Sequence, residues 1–143
     1  MANIRIIHHN GGFSLMELLI VIAIIGALVS IAAASYSSAQ KRSRDSRRSS
    51  DIKAMQNAWE QYYSDQGGVY PTLCTASMTS YLPQGLPLDP KTSANYYANA
   101  ATSCTPSTYC FCALLERTGG GNASDTSCTY AAGGNYSCLS NLQ

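Results

Sequence analysis

The apolar run inside "GGFSLMELLIVIAIIGALVSIAAA", residues 11–34, limits this chain more than any other feature. From Leu15 to Ala34 only Glu17 and Ser30 interrupt it. A helix that is hydrophobic on every side must be buried, in lipid or in protein. About 20 such residues cross the hydrocarbon core of a bilayer. No proline stands between residues 13 and 66, and Gly26 is the one glycine there. The expectation is therefore a single helix to Gln66, roughly 80 Å long at the usual rise. A helix that long cannot be the inside of a 143-residue globule. Its first half must find apolar surroundings elsewhere, in a bilayer or among copies of itself.

The second half of the helix changes character. Ile52, Met55, Trp59, Tyr62 and Tyr63 recur at spacings of three and four, the stripe of an amphipathic helix lying on a domain. Trp59 and Tyr62 belong to the helix side of that core. Lys41, Arg44, Arg48 and Asp51 fall among serines and are expected to be solvated. Gly67–Gly68 ends the helix, since glycine takes the left-handed cap position at little cost.

Residues 67–143 have a different composition. They hold all five prolines, eight of the eleven glycines, seven of the ten tyrosines and only five charged residues: Asp89, Lys91, Glu116, Arg117 and Asp125. All six cysteines lie here: Cys74, Cys104, Cys110, Cys112, Cys128 and Cys138. An even set confined to the part that follows a membrane segment points to disulfides in an oxidising compartment. Six cysteines allow fifteen full pairings, and spacing does not choose among them. Joining Cys110 to Cys112 is disfavoured if both lie on a strand. A zinc site would want a C-x₂-C pair with a matching second pair, which does not occur. His8 and His9 lie far away in the leader. No metal and no cofactor is expected. "ANYYANA", "TYCFCALLE" and "GGNYSCL" are the strand candidates, set between Gly, Pro, Ser and Thr clusters. The fold class is α+β: a long N-terminal helix on a small antiparallel sheet.

Enzymatic function has little support. No histidine follows residue 12, which removes the commonest general base from the rest of the chain. There is no GxxxxGK[ST] phosphate loop, and Cys110-x-Cys112 is not the C-x-x-C of thiol oxidoreductases. Net charge is +1, so the chain as a whole makes no case for nucleic-acid binding. The basic run Lys41–Lys53 is a solvated or inter-subunit face, or else a contact for lipid headgroups or DNA.

Glu17 needs a reason. A carboxylate in mid-membrane costs roughly 2.5 kcal/mol or more and usually has a partner. A cut between Gly12 and Phe13 would create an α-amino group four residues before it. An amine on a neighbouring copy would pair with the acid equally well and fix the stagger between helices.

"GGFSLMELLIVIAIIGALVSIA" resembles the processing and assembly segment of type IV pilins and type II secretion pseudopilins. The resemblance implies that a membrane-embedded prepilin peptidase cuts after Gly12 and methylates the amine of Phe13. It places the assembly glutamate of the family on Glu17, which is thought to neutralise the N-terminus of an adjacent subunit. The leader, residues 1–12, is then removed on the cytoplasmic side, whereas an ordinary signal peptide would lose its apolar region. "MQNAWEQYYSDQGGVYPT" and "YLPQGLPLDP" before "YYANA" resemble the helix end and following loop of G-type pseudopilins and related pilins. Calcium, bound by some of those, is not expected here, because Asp89 and Asp125 are the only aspartates in the tail. The implied plan is a filament-core helix over 13–40, an amphipathic half over 41–66 and a cysteine-rich extracellular head over 67–143. The implied partners are identical or related pilin subunits and inner-membrane assembly machinery. The precursor would be single-pass in the inner membrane, then part of an extracellular pilus or a periplasmic pseudopilus. The reading from another class is a single-span anchor carrying a binding ectodomain.

Overall fold

The structure, a computed structural model, describes residues 12–76, 78–96 and 104–143. The chain forms two units, Met1–Ser38 and Ala39–Gln143. One helix, α1, Leu15–Asp65, runs through both. Four strands follow: β1 Cys110–Leu114, β2 Gly121–Ala123, β3 Tyr130–Gly134 and β4 Tyr136–Ser140. They form one antiparallel sheet in the order β1-β4-β2-β3. This is the expected α+β architecture.

Helix α1 stops where glycine was expected to stop it. Gly67 has φ +72°, and the Gly68 N–H donates to the Tyr63 carbonyl at 2.9 Å. That six-to-one bond is a Schellman cap. "TYCFCALLE" forms β1, and "GGNYSCL" spans the end of β3 and most of β4. Most of "ANYYANA", from Tyr97 to Ala100, lies outside the described residues. β2 and the start of β3 lie in stretches too rich in Gly, Ala and Ser to show a strand pattern.

Two glycines explain how so small a sheet closes. β3 and β4 are separated by Asn135 alone, yet both run antiparallel to β2. The chain therefore crosses β2 between them. A Cβ on Gly134 would run into the Ala123 backbone, and one on Gly121 into the Tyr136 carbonyl. Only residues without side chains permit that approach.

The core of the second unit is the predicted stripe. Ile52, Met55 and Trp59 are fully buried, and Tyr62 and Tyr63 pack against the same cluster. Trp59 meets Phe111 of β1 edge-on at 4.9 Å, Phe111 stacks with Tyr109, and Tyr109 meets Tyr70. Each such pair adds about 0.5–1.5 kcal/mol to simple burial. Glu60 ties the polar rims together. It accepts from the Tyr70 and Tyr109 hydroxyls and from the Leu142 N–H.

All six cysteines pair: Cys74 with Cys104, Cys110 with Cys128, and Cys112 with Cys138. Cys112 and Cys138 face each other directly across β1 and β4. Cys110 and Cys112 share one face of β1 and bond to different partners, as strand geometry requires.

The expectation that Lys41, Arg44, Arg48 and Asp51 are all solvated is wrong for most of the set. Arg48 is 3% exposed. It donates to Asp45 at 2.9 Å, to Asp89 at 2.6 Å and to Glu116 at 3.1 Å. Arg44 grips Glu116 with two bonds of 2.6 and 2.7 Å. Asp45, 2% exposed, accepts the backbone N–H groups of Glu116 and Arg117. Asp51 is half-buried and accepts the Tyr96 hydroxyl at 2.7 Å. These residues pin the loops around Asp89 and after β1 to the helix. Apart from the Arg48–Asp45 pair, their partners lie 41 to 72 residues away, so the local serine-rich context conveyed nothing of them.

Candidate assembly and processing segment

The first unit presents its apolar surface outward. Phe13 is 90% exposed, and every large hydrophobic side chain from Leu15 to Ile31 is exposed. The helix is long and apolar enough to cross a membrane, and none of its apolar window is buried within the chain.

The start of α1 shows why a carboxylate is tolerated there. A helix N-terminus leaves four backbone N–H groups without partners, and in an apolar medium each unsatisfied group is expensive. Ser14 is the cap residue. Its Oγ accepts the Met16 N–H at 3.3 Å. The Glu17 carboxylate reaches back and accepts the Ser14 N–H at 2.9 Å. This is a Ser-x-x-Glu capping pattern in which the serine accepts the second helical N–H in place of the third. Glu17 also places negative charge in the first turn, where the helix dipole favours it. The Ser14-x-x-Glu17 spacing carries this signature in the sequence itself.

Gly12 presents a different problem. It has no left-handed φ, and a Cβ built on it meets nothing within 4 Å among the described residues. Gly67 needs its glycine to turn the chain, whereas the fold makes no such demand at residue 12. Gly12, Phe13, Ser14 and Glu17 thus lie together on six residues at the exposed N-terminal end of the helix.

The head offers no competing chemistry among the described residues. A cavity of about 420 Å³ opens beside Arg48, Asp89, Lys91, Tyr96 and Glu116. Its charged groups already hold one another, with Lys91 3.7 Å from Glu116. The Arg44 guanidinium holds the Glu116 carboxyl at about 2, against the opposing effect of burial. Burial raises Asp89, but the Arg48 guanidinium and two backbone N–H groups outweigh it and leave the acid well below the usual range. Asp45 is likewise held down, by the Glu116 and Arg117 backbone against its burial. Carboxyls so firmly ionised are poor proton donors near neutral pH. The sulfurs of Cys110, Cys112 and Cys128 lie within 4.8 Å of one another, as in a thiolate metal site. Each is bonded in a disulfide, so none offers a thiolate.

Comparison with known proteins points to the same segment. Residues 7–33 match the family model described as the prokaryotic N-terminal methylation motif. Over 57 residues the chain is 40% identical to the type IV major pilin protein PilA of Myxococcus xanthus. That alignment covers 40% of this chain and 26% of the relative, so the chain matches about a quarter of the relative's length. No solved structure matches. The chain thus carries a match to a prokaryotic N-terminal methylation motif at the head of its exposed apolar helix, and over part of its length it is similar to a type IV major pilin.

Proposed function

We propose that this chain is a structural subunit of a type IV pilus-like filament, matured by prepilin peptidase and assembled through its N-terminal helix. The observation that carries the proposal is the fully exposed apolar helix headed by Gly12, Phe13 and Glu17. The precursor inserts with residues 1–12 on the cytoplasmic side and the head outside. Cleavage after Gly12 frees Phe13, whose new amine is methylated. Gly12 has open space around it and an ordinary backbone, so its glycine answers to an outside reader, the peptidase. Glu17 of an incoming subunit then pairs with the Phe13 amine of one already in the fibre. The pairing offsets the cost of burying a carboxylate among apolar helices. The helices fill the fibre centre, and the disulfide-held heads form its surface. A pilus is preferred over the pseudopilus of a secretion system because the relative that is 40% identical over 57 residues is itself named a type IV major pilin.

Intact-mass analysis of membrane and sheared-filament fractions, with wild type beside Gly12→Val, tests the proposal. The wild-type sheared fraction should contain a chain beginning at methylated Phe13. Gly12→Val should fold normally, because nothing lies near the added atoms, yet remain uncleaved in the membrane. An uncleaved wild-type chain confined to membranes would leave only an anchored ectodomain.

A further inference from the structure

Sorting the basic run by partner leaves two cations over. Arg44 and Arg48 are held by carboxylates of the head. Arg47 approaches Asp51 at 3.9 Å, and Lys53 donates to Gln56. Among the described residues Lys41 and Arg42 have no side-chain partner, and both are exposed. They stand side by side, seven and eight residues beyond Ala34 in the sequence. The six residues between, Ser35 to Gln40, carry no charge. One of them is Tyr36, 66% exposed, a residue type that collects where bilayer meets water.

Distances along the helix place the pair. The headgroup layer extends about 5–8 Å beyond the hydrocarbon core on each side. Seven residues of helix rise about 10 Å. Lys41 and Arg42 therefore root just outside that layer, and long basic side chains bend back to polar headgroups while their stems cover apolar surface.

We propose that Lys41 and Arg42 bind the phosphates of anionic phospholipids in the leaflet facing the head, and so set the depth at which the subunit rests before assembly. The proposal rests on Leu15–Ala34 spanning a bilayer. Charge complementarity favours lipid over a nucleic acid. Two adjacent cations neutralise too few phosphates to hold a duplex at ordinary salt. A membrane-tethered pair meets lipid headgroups at high effective concentration without a separate binding event.

The test uses the full chain in nanodiscs of phosphatidylcholine with a minor share of phosphatidylglycerol. The lipids retained on the released protein are counted by native mass spectrometry. Wild type should retain phosphatidylglycerol above its bulk share. Lys41→Gln/Arg42→Gln should lose that enrichment, by about fivefold per cation, the equivalent of ~1 kcal/mol each near an anionic surface. Lys53→Gln removes the same charge twelve residues further along and should leave the enrichment unchanged. Equal enrichment in wild type and the double variant would overturn the proposal. So would loss with Lys53→Gln, or displacement of the lipid by short duplex DNA. Alkaline washing separates the underlying reading: a chain stripped from vesicles by it does not span them, and the proposal falls with that reading.

Discussion

The two ends of α1 solve opposite problems with the same backbone. From Leu15 to Ile31 the large side chains are exposed, and nothing among the described residues covers them. From Asp45 to Trp59 one face is sealed by the head, down to complete burial at Ile52, Met55 and Trp59. The head-bearing half is self-sufficient: it has its own aromatic core, three disulfides and a buried ion network. The other half presents an apolar surface that no described residue covers. Polar groups follow the same division. In the head, charge is matched within the chain. At the N-terminus, Ser14 and Glu17 satisfy the helix end but leave carboxylate capacity for a partner.

That division predicts which substitutions damage which half. The largest contrast is Trp59→Ala beside Ile24→Ala. The first empties the centre of the head and should lower its stability by about 3–5 kcal/mol, read by denaturant titration in detergent. The second deletes an exposed apolar side chain of the first unit and should leave the same transition unmoved. If both shift it, the halves are not independent.

Arg48→Met comes next. It strands Asp45, Asp89 and Glu116 without their shared cation. Breaking a buried pair in this way costs about 3–5 kcal/mol, and the same titration measures it. Removing the cross-strand link with Cys112→Ala/Cys138→Ala should cost about 2–4 kcal/mol. The Cys74–Cys104 link, on the other side of the core, should survive, as thiol counting would show.

Acid probes the network more gently. Asp45, Asp89 and Glu116 all titrate below their ordinary values in the folded head. Their contribution is therefore complete above the ordinary carboxylate range and is lost as pH falls through the folded values, about 2 for Glu116. The midpoint should hold from neutral to about pH 5 and fall below about pH 4. In Arg48→Met the share due to Asp89 should shrink, while that of Glu116, held by Arg44, and of Asp45, held by backbone N–H groups, should persist. The smallest effect belongs to Ser14→Ala, which removes half of the capping box and about 1 kcal/mol from the helix end. Amide exchange at Met16 should rise while head amides keep their protection.

The sequence disclosed this fold where information is local. The Leu15–Ala34 run, the Ile52–Tyr63 stripe and the Gly67–Gly68 stop each follow from residue type and spacing within one element. β1 was legible from "TYCFCALLE", because Tyr, Phe and Cys mark a buried strand. β2 and β3 were not, because "GNA" and "YAAGG" are chosen for close approach and not for strand propensity. The Arg48 network was hidden for another reason. A basic residue among serines reads as solvated until Asp89 and Glu116 are folded onto it from the far end of the chain. Gly12, Phe13 and Glu17 stood out as residues that an apolar run does not need, while Ser14 went unnoticed because serine at a helix start is so ordinary.

The central claim is that the exposed half of α1 finds its partner in another copy through Glu17. The most direct measurement is the amount of mature chain in sheared filaments for Glu17→Gln beside wild type, with the same intact-mass reading on membranes. Glutamine can still cap the helix from the third position but carries no charge for an incoming amine. Cleaved, methylated Glu17→Gln chain should accumulate in the membrane and be absent from the sheared fraction. Filaments of Glu17→Gln at wild-type yield would contradict it.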